Sequence, residues 1–487
     1  MKFPVKKLLK GTGIYTISRL LTNASSFLLL PVFTRFLTAE QYGILGVVNP
    51  IRRFIPLFFI FGLYTAQMRN YVDLKDDRKK LGEYLFTLNS FLWINSIVVF
   101  LFIISPIGQK FIGLFIDYKK VPFYPYVFIT VIIGFLNLFV LMATNFYKTK
   151  QEFKKIGINS VIRFAIKAGL ALVLIIYLDF GALGKLFGYL AGSIYMIVVF
   201  YSNYIRKINF NFKTDQLINS FIMGFPIAIN GIISIILNFS DRIIMAKYFS
   251  LDKVGLYSLA YTGAMVLHLF IFSFRDAWQP MFYNLIHSSN QRKYIIVKKM
   301  MIYFLAFISI VSLTGQLFGK ELIYLVLPKN YFKTSVFLPY VLVGIVFFGA
   351  YHYLVNILMY HKDTKYIPFF TFFSAILNVI INYVFMPIYG PLVAAYSTII
   401  SFFLLFLILL IYINLKYKSY IFNYKKVFFI FFGIFNPLLF ILINQEISLM
   451  NVIFKLIYLF LFSVIFYKEI TEFIHRIFKN KKILNKE

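Results

Sequence analysis

About eight basic side chains lie inside otherwise apolar stretches of this chain: Arg19, Arg52, Arg53, Arg163, Lys167, Arg242, Arg275 and Lys455. Each would cost about 2.5–3.5 kcal/mol at the centre of a membrane helix, so the deep ones must face a partner or a wet cavity. Arg19, Asn23 and Ser26 follow the i, i+4, i+7 spacing that places them on one helical face. Arg163 and Lys167 are also four apart, with Asn159 one turn earlier. Acids inside the same stretches are few, and a desolvated excess of cation asks for an anionic ligand. The guanidinium fork matches the oxygens of a pyrophosphate, which makes that group the natural candidate. For Arg163 the competing reading is a side chain that snorkels to the membrane surface. The expected lining of a substrate cavity is therefore Arg19, Asn23, Arg52, Arg53, Arg163 and Lys167, together with Asn230 and Asn238.

Those last two belong to a track in which Asn230, Ser234 and Asn238 recur every four residues and lead to Asp241 and Arg242. Such a track either lines a path or makes interhelical hydrogen bonds. Asp241 and Arg242 are candidates for coupling or gating, and so is His268, because histidine titrates near neutral pH. For His268 and His352, packing competes with that role. Asn378 and Asn382 share a face on which interhelical contact is the favoured reading. The patterns GxxxxGK[ST], HExxH and GxSxG are absent, and no paired-acid catalytic motif is recognised in a loop, so an enzyme is not expected. The chain has no cysteine, which excludes disulfides, thiolate metal sites and Cys nucleophiles. No metal site and no resident cofactor is expected; H+ or Na+ coupling, or the membrane potential, would supply the driving force.

The elements that hold these residues must sit in lipid. Of 487 residues, 60% are hydrophobic and 14% charged, and apolar runs recur from Gly11 to Tyr467 with short charged interruptions. Hydropathy windows place six spans near residues 11–32, 43–66, 84–107, 121–143, 156–178 and 181–204. Six more fall near 220–246, 254–283, 300–318, 335–359, 366–387 and 390–414, and a final pair near 427–443 and 450–467. The expected fold is an all-α polytopic membrane protein of about fourteen transmembrane helices. Arg19 then lies about 12 Å from the cytoplasmic start of its span and Arg52 about 13 Å from the outer start of the next. In a core about 30 Å thick both approach the midplane. Pro31, Pro50, Pro56 and Pro226 fall in or beside spans and are expected to kink them.

The net charge of +32 would suggest nucleic acid in a soluble protein. Here the clusters Lys2/Lys6/Lys7/Lys10, Lys75/Arg78/Lys79/Lys80, Lys148/Lys150/Lys154/Lys155, Arg292/Lys293/Lys298/Lys299 and Lys416/Lys418/Lys425/Lys426 alternate onto one side of the membrane. That side is the cytoplasm, with both termini on it. The partner is the lipid bilayer, and no nucleic acid is expected. The basic residues Met1 to Lys10 precede an apolar stretch without a small-residue cleavage site, so the first span is expected to be kept.

An internal repeat is also visible. Arg35-Phe-Leu-Thr-Ala-Glu-Gln-Tyr-Gly43 aligns without gaps on Lys247-Tyr-Phe-Ser-Leu-Asp-Lys-Val-Gly255, and each copy follows the first span of its half. Gly181-Ala-Leu-Gly184 similarly resembles Gly390-Pro-Leu-Val393. Both halves start on the same side, which makes this a parallel duplication. The expected organisation is a six-helix lobe over residues 1–207, a second over 208–415, and a C-terminal helix pair with a basic tail over 416–487.

Several of these residues carry a family likeness: Pro31 with Arg35, Leu37, Tyr42 and Gly43, then Gly224-Phe-Pro226, and Asp241-Arg242 followed by Gly255-Leu-Tyr257. With Gly390-Pro-Leu-Val-Ala-Ala395, which has Val393 in place of a glycine, the chain resembles the polysaccharide-precursor flippases. These are the Wzx-type O-antigen and capsule flippases of the multidrug/oligosaccharidyl-lipid/polysaccharide superfamily, and the likeness covers nearly the whole chain. The resemblance implies translocation of an undecaprenyl-pyrophosphate-linked oligosaccharide from the cytoplasmic to the outer leaflet of a bacterial inner membrane by alternating access. It implies a place beside other polysaccharide-assembly membrane proteins, and that Arg19 and Arg52 resemble cavity arginines of lipid II flippases. The alternatives are a lipid II flippase and a cation-coupled multidrug exporter, which should carry acids deep in a lobe. A membrane enzyme or scaffold of polysaccharide assembly would need larger loops than those near Gly108 to Lys120 and Gly319 to Thr334.

Overall fold

The computed structural model describes Ser18, Phe27 and residues 29–420, 422–443, 448–469 and 471–472, and among them every regular element is helical. Among the described residues, ten helices are long and apolar enough to cross a bilayer, or eleven when one bent pair counts as a single span. That pair is α2 (Ala39–Phe59) and α3 (Leu63–Leu74), which follow the short α1 (Leu30–Phe36). The expected first span lies almost wholly outside the described residues, and Arg19 and Asn23 lie there too.

The remaining helices of the first half are α4 (Arg78–Ile104), α5 (Pro106–Gly113), α6 (Phe128–Thr149), α7 (Phe153–Ile176) and α8 (Gly181–Ile205). Then come α9 (Thr214–Tyr248), α10 (Leu251–His287), α11 (Lys293–Val326), α12 (Leu338–Tyr360), α13 (Tyr366–Tyr389) and α14 (Val393–Lys416). The C-terminal pair is α15 (Tyr424–Ile443) and α16 (Leu449–Ile465). The all-α polytopic reading therefore holds, and each expected span after the first has its helix.

The bend falls elsewhere than the prolines suggested. α2 runs through Pro50 and Pro56, and α9 runs through Pro226, while Pro31 sits in the first turn of α1, where its missing N–H costs nothing. The chain turns by 43° between α2 and α3, at Phe61 (φ 49°) and Gly62 (φ 71°). Gly62 also lies where a Cβ would overlap the Gly224 carbonyl, so the turn and the close approach need the same glycine.

Two compact units divide the chain, one ending at Ser258 and the other beginning at Leu259. Within the first, the repeated segments open α2 and α10. Thr38 caps α2 by accepting from the Gln41 amide at 3.2 Å, and Gln41 accepts from the Thr38 amide at 3.2 Å. The two repeat glycines pack reciprocally: a Cβ on Gly43 would strike the Leu251 carbonyl, and one on Gly255 the Ala39 carbonyl. The C-terminal end of α9 is closed by Lys120, which donates to the carbonyls of Ala246 at 2.7 Å and Phe249 at 2.9 Å. In the second unit α16 is tied to α11 by the Lys455–Glu321 ion pair, which accounts for one intramembrane lysine.

Candidate functional site

The expected cationic stripe of α7 is placed by its neighbour. α8 carries Gly184, Gly188 and Gly192 at four-residue spacing, and small residues at that spacing let two membrane helices approach closely. A Cβ on Gly188 would overlap the Lys167 carbonyl, and one on Gly192 would lie 3.3 Å from the Arg163 side chain. The α7 backbone is thereby drawn against α8, and its basic side chains fall beside Tyr189.

Four basic groups gather there. The Arg52 guanidinium of α2 lies 4.2 Å from the centre of the Tyr189 ring, and the Lys167 ammonium 5.1 Å from it. Arg52 also donates from Nε to Asn49 Oδ1 at 3.2 Å. One turn deeper, Arg163 donates to Asn137 of α6 at 2.7 Å, and Ser193 of α8 donates to the same oxygen at 3.1 Å. One turn in the other direction, Lys185 lies 4.5 Å from the centres of both the Phe33 and Tyr42 rings. Lys185, Tyr189 and Ser193 thus form one stripe of α8, with cations along it. Lys167 is exposed to Arg52, Arg163 and Arg53 as like charges. No carboxylate forms an ion pair with Arg52, Arg163, Lys167 or Lys185 among the described residues. Their partners are aromatic faces and neutral oxygens, which a phosphate oxygen can displace with gain, since charge-assisted hydrogen bonds are the stronger ones.

Residues 8–286 match the family of polysaccharide biosynthesis proteins, and residues 226–384 match the MatE family. The chain belongs to the polysaccharide biosynthesis protein family. Its fold is similar to that of the lipid II flippase MurJ in an inward closed conformation, with TM-score 0.73 and 17% identity over 94% of this chain and 99% of that one. It is also similar to an inward-facing multidrug resistance MATE transporter of the MOP superfamily, with TM-score 0.66 and 14% identity over 83% of this chain and 99% of that one. An uncharacterised membrane protein of Haemophilus influenzae is 25% identical over 393 residues, covering 76% of this chain and 88% of its own. This member of the polysaccharide biosynthesis family is a multi-pass membrane protein that shares its fold with a lipid II flippase and a multidrug transporter.

The other expected residues of this family member are dispersed. Arg53, next to Arg52, points a different way and lies 5.1 Å from the centre of the Phe239 ring of α9. Along α9, Ser234 donates to the Asn230 carbonyl at 2.8 Å and Asn238 to the Ser234 carbonyl at 2.7 Å, so this track bonds along its own helix. The Asn230 side-chain oxygen is buried without a hydrogen-bond partner. Asp241 and Arg242 form a buried ion pair at 3.1 Å, and the Tyr257 hydroxyl donates to the other Asp241 oxygen. Arg242 further donates to the Asn238 carbonyl at 2.6 Å. Asn378 and Asn382 of α13 share Ser397 of α14, the interhelical contact expected of them. His268 lies in the second unit among aromatic rings. The sequence reading passes over Lys185 and Tyr189. Their signal is the i, i+4, i+8 spacing of Lys185, Tyr189 and Ser193 inside an apolar run.

Proposed function

We propose that this chain flips an undecaprenyl-pyrophosphate-linked oligosaccharide from the cytoplasmic to the outer leaflet of a bacterial inner membrane, by alternating access. The product would feed O-antigen, capsule or exopolysaccharide synthesis, in company with other polysaccharide-assembly membrane proteins. The observation that carries this reading is the gathering of Arg52, Arg163, Lys167 and Lys185 around Tyr189 without a carboxylate partner among the described residues. A diphosphate diester brings two negative charges and several acceptor oxygens, and Arg is the side chain whose geometry fits them.

A lipid II flippase would use the same cluster, because its cargo carries the same linkage. A cation exporter is less well supported: Asp241 is already paired with Arg242 and accepts a hydrogen bond from Tyr257, and among the described residues no acid forms an ion pair with the four cations. The reading is tested in a host lacking its own flippase, with wild type and Arg52→Ala/Lys167→Ala, by quantifying surface polysaccharide and precursor held in the cytoplasmic leaflet. Rescue by wild type with precursor build-up in the expressed variant supports it. Absence of rescue across several sugar pathways, together with drug efflux, overturns it.

A further inference from the structure

Three lysines from separate stretches of the first unit meet at the end where α6 stops, α7 starts and α8 stops. The Lys150 ammonium lies 5.0 Å from the centre of the Phe146 ring. Lys207 lies 5.0 Å from the same centre and 5.5 Å from that of Tyr147. Lys155 lies 4.5 Å from the Tyr147 centre and 5.6 Å from that of Phe200. All three rings are buried, so the ammonium groups lie over an aromatic floor fixed by packing. The backbone holds each lysine in place. Between α6 and α7 the chain turns through Gln151 (φ 60°), and the Glu152 amide donates to the Tyr147 carbonyl at 3.0 Å. Beyond α8, a Cβ on Gly82 of α4 would overlap the Lys207 carbonyl, and Asn209 donates to the Lys79 carbonyl at 3.3 Å.

Basic residues in the loops of a membrane protein usually extend into solvent, and Lys154 and Arg206, the chain neighbours of Lys155 and Lys207, are exposed in that way. Lys150, Lys155 and Lys207 are instead drawn together and partly covered, against their mutual repulsion. One acid stands among them, Glu152, at 3.9 Å from Lys155. Lys150 and Lys207 have no carboxylate ion-pair partner among the described residues. Burial and the Lys150 ammonium hold the Lys207 pKa below the usual lysine range, a cost that a bound anion removes. The patch is open to a ligand: the Lys155 side chain is 40% exposed. An apolar path also leads from it. Lys155, Ile158 and Ile162 follow the i, i+3, i+7 spacing of one face, both isoleucines are exposed, and α7 is the least enclosed of the described spans. At the level of the helix ends a bilayer presents its phosphates, and its hydrocarbon lies beneath them.

We propose that Lys150, Lys155 and Lys207 bind the phosphate of a membrane lipid, one of whose chains lies along Ile158 and Ile162. The site is separate from the cluster around Tyr189. It needs neither sugar nor transport, so it stands independently of the flippase reading. Two lipids carry such a phosphate, an anionic phospholipid and the pyrophosphate-linked cargo, and the test separates them.

The full chain in detergent is titrated with phosphatidylglycerol, phosphatidylcholine and undecaprenyl pyrophosphate, and native mass spectrometry counts the lipid retained. Lys150→Gln/Lys207→Gln is compared with wild type and with Lys154→Gln/Arg206→Gln, which loses the same charge from outside the patch. Wild type should prefer phosphatidylglycerol to phosphatidylcholine, whose choline brings a further cation to the lysines. The inner pair of substitutions should lower phosphatidylglycerol affinity about 10- to 30-fold, while the outer pair stays near wild type. If undecaprenyl pyrophosphate affinity is then unchanged, the occupant is a phospholipid; if it falls as well, or in its place, the cargo uses the site. Affinities for both lipids that the inner pair leaves unchanged, or that the outer pair lowers as far, overturn the proposal.

Discussion

At the scale of single residues, the cluster around Tyr189 is a set of cations held by weak partners. A cation on a ring is worth about 0.5–2 kcal/mol depending on desolvation, whereas hydrogen bonds to charged groups are worth about 1.5–3 kcal/mol. An arriving pyrophosphate therefore wins the cations from the rings, and each cation removed should cost binding. We expect Lys185→Ala to weaken binding of undecaprenyl pyrophosphate to the purified chain about 10-fold, with Lys185→Arg close to wild type. Equal affinity in Lys185→Ala, measured by titration in nanodiscs, would remove Lys185 from the site. One lysine just beyond the end of α8 titrates unusually. Lys207 lies 5.0 Å from the centre of the Phe146 ring, and burial, followed by the neighbouring Lys150, pulls its pKa down to about 8. An unfolded lysine titrates near ~10.4. The folded state thus disfavours the charged form, and that cost is full below pH 8 and fades as pH rises toward ~10.4. Thermal stability should climb across this window, and Lys207→Met should flatten the climb; parallel curves for the two proteins would refute the assignment.

At the scale of elements, the cluster depends on how near α7 comes to α8. Gly188 sets that distance against the Lys167 carbonyl. Gly188→Val should separate the helices, destabilise the protein by about 1–3 kcal/mol and cut pyrophosphate binding, although no charge is altered. Unchanged binding in a folded Gly188→Val protein would show that the helices tolerate separation. The same logic explains what the sequence reading could and could not see. The repeat was legible because a hydroxyl and a glycine recur at fixed spacing, yet an alignment gives equivalence and not contact. The reciprocal packing of Gly43 and Gly255 needed the structure. The Asn230–Asn238 track was legible as polar spacing, but the spacing that lines a cavity is also the one that bonds a side chain to its own helix. Lys185 lies one turn from the start of α8, where a lysine reads as an interfacial anchor, and the aromatic rings that hold it come from α1 and α2.

At the scale of the whole molecule, the number and order of helices were legible because lipid leaves a backbone few ways to satisfy its hydrogen bonds, so hydropathy alone marks the spans. The break at Phe61 and Gly62 was not, since the prolines nearby carry the stronger local signal and the turn answers to a backbone contact with Gly224. Orientation follows from the basic loops and can be measured directly, because the natural chain has no cysteine and each introduced one is a unique label. Asp117 follows α5, Lys329 lies between α11 and α12, Arg292 precedes α11 and Lys154 opens α7, and all four are exposed. Asp117→Cys and Lys329→Cys should react with a membrane-impermeant maleimide in intact spheroplasts. Lys154→Cys and Arg292→Cys should react only after the membrane is permeabilised. The reverse pattern would invert the chain in the membrane and put the lysine-rich loops outside. It would then place Lys185, rather than Arg163, nearest the side on which the cargo is made, so that Lys185 would be the first of the four cations to meet the pyrophosphate.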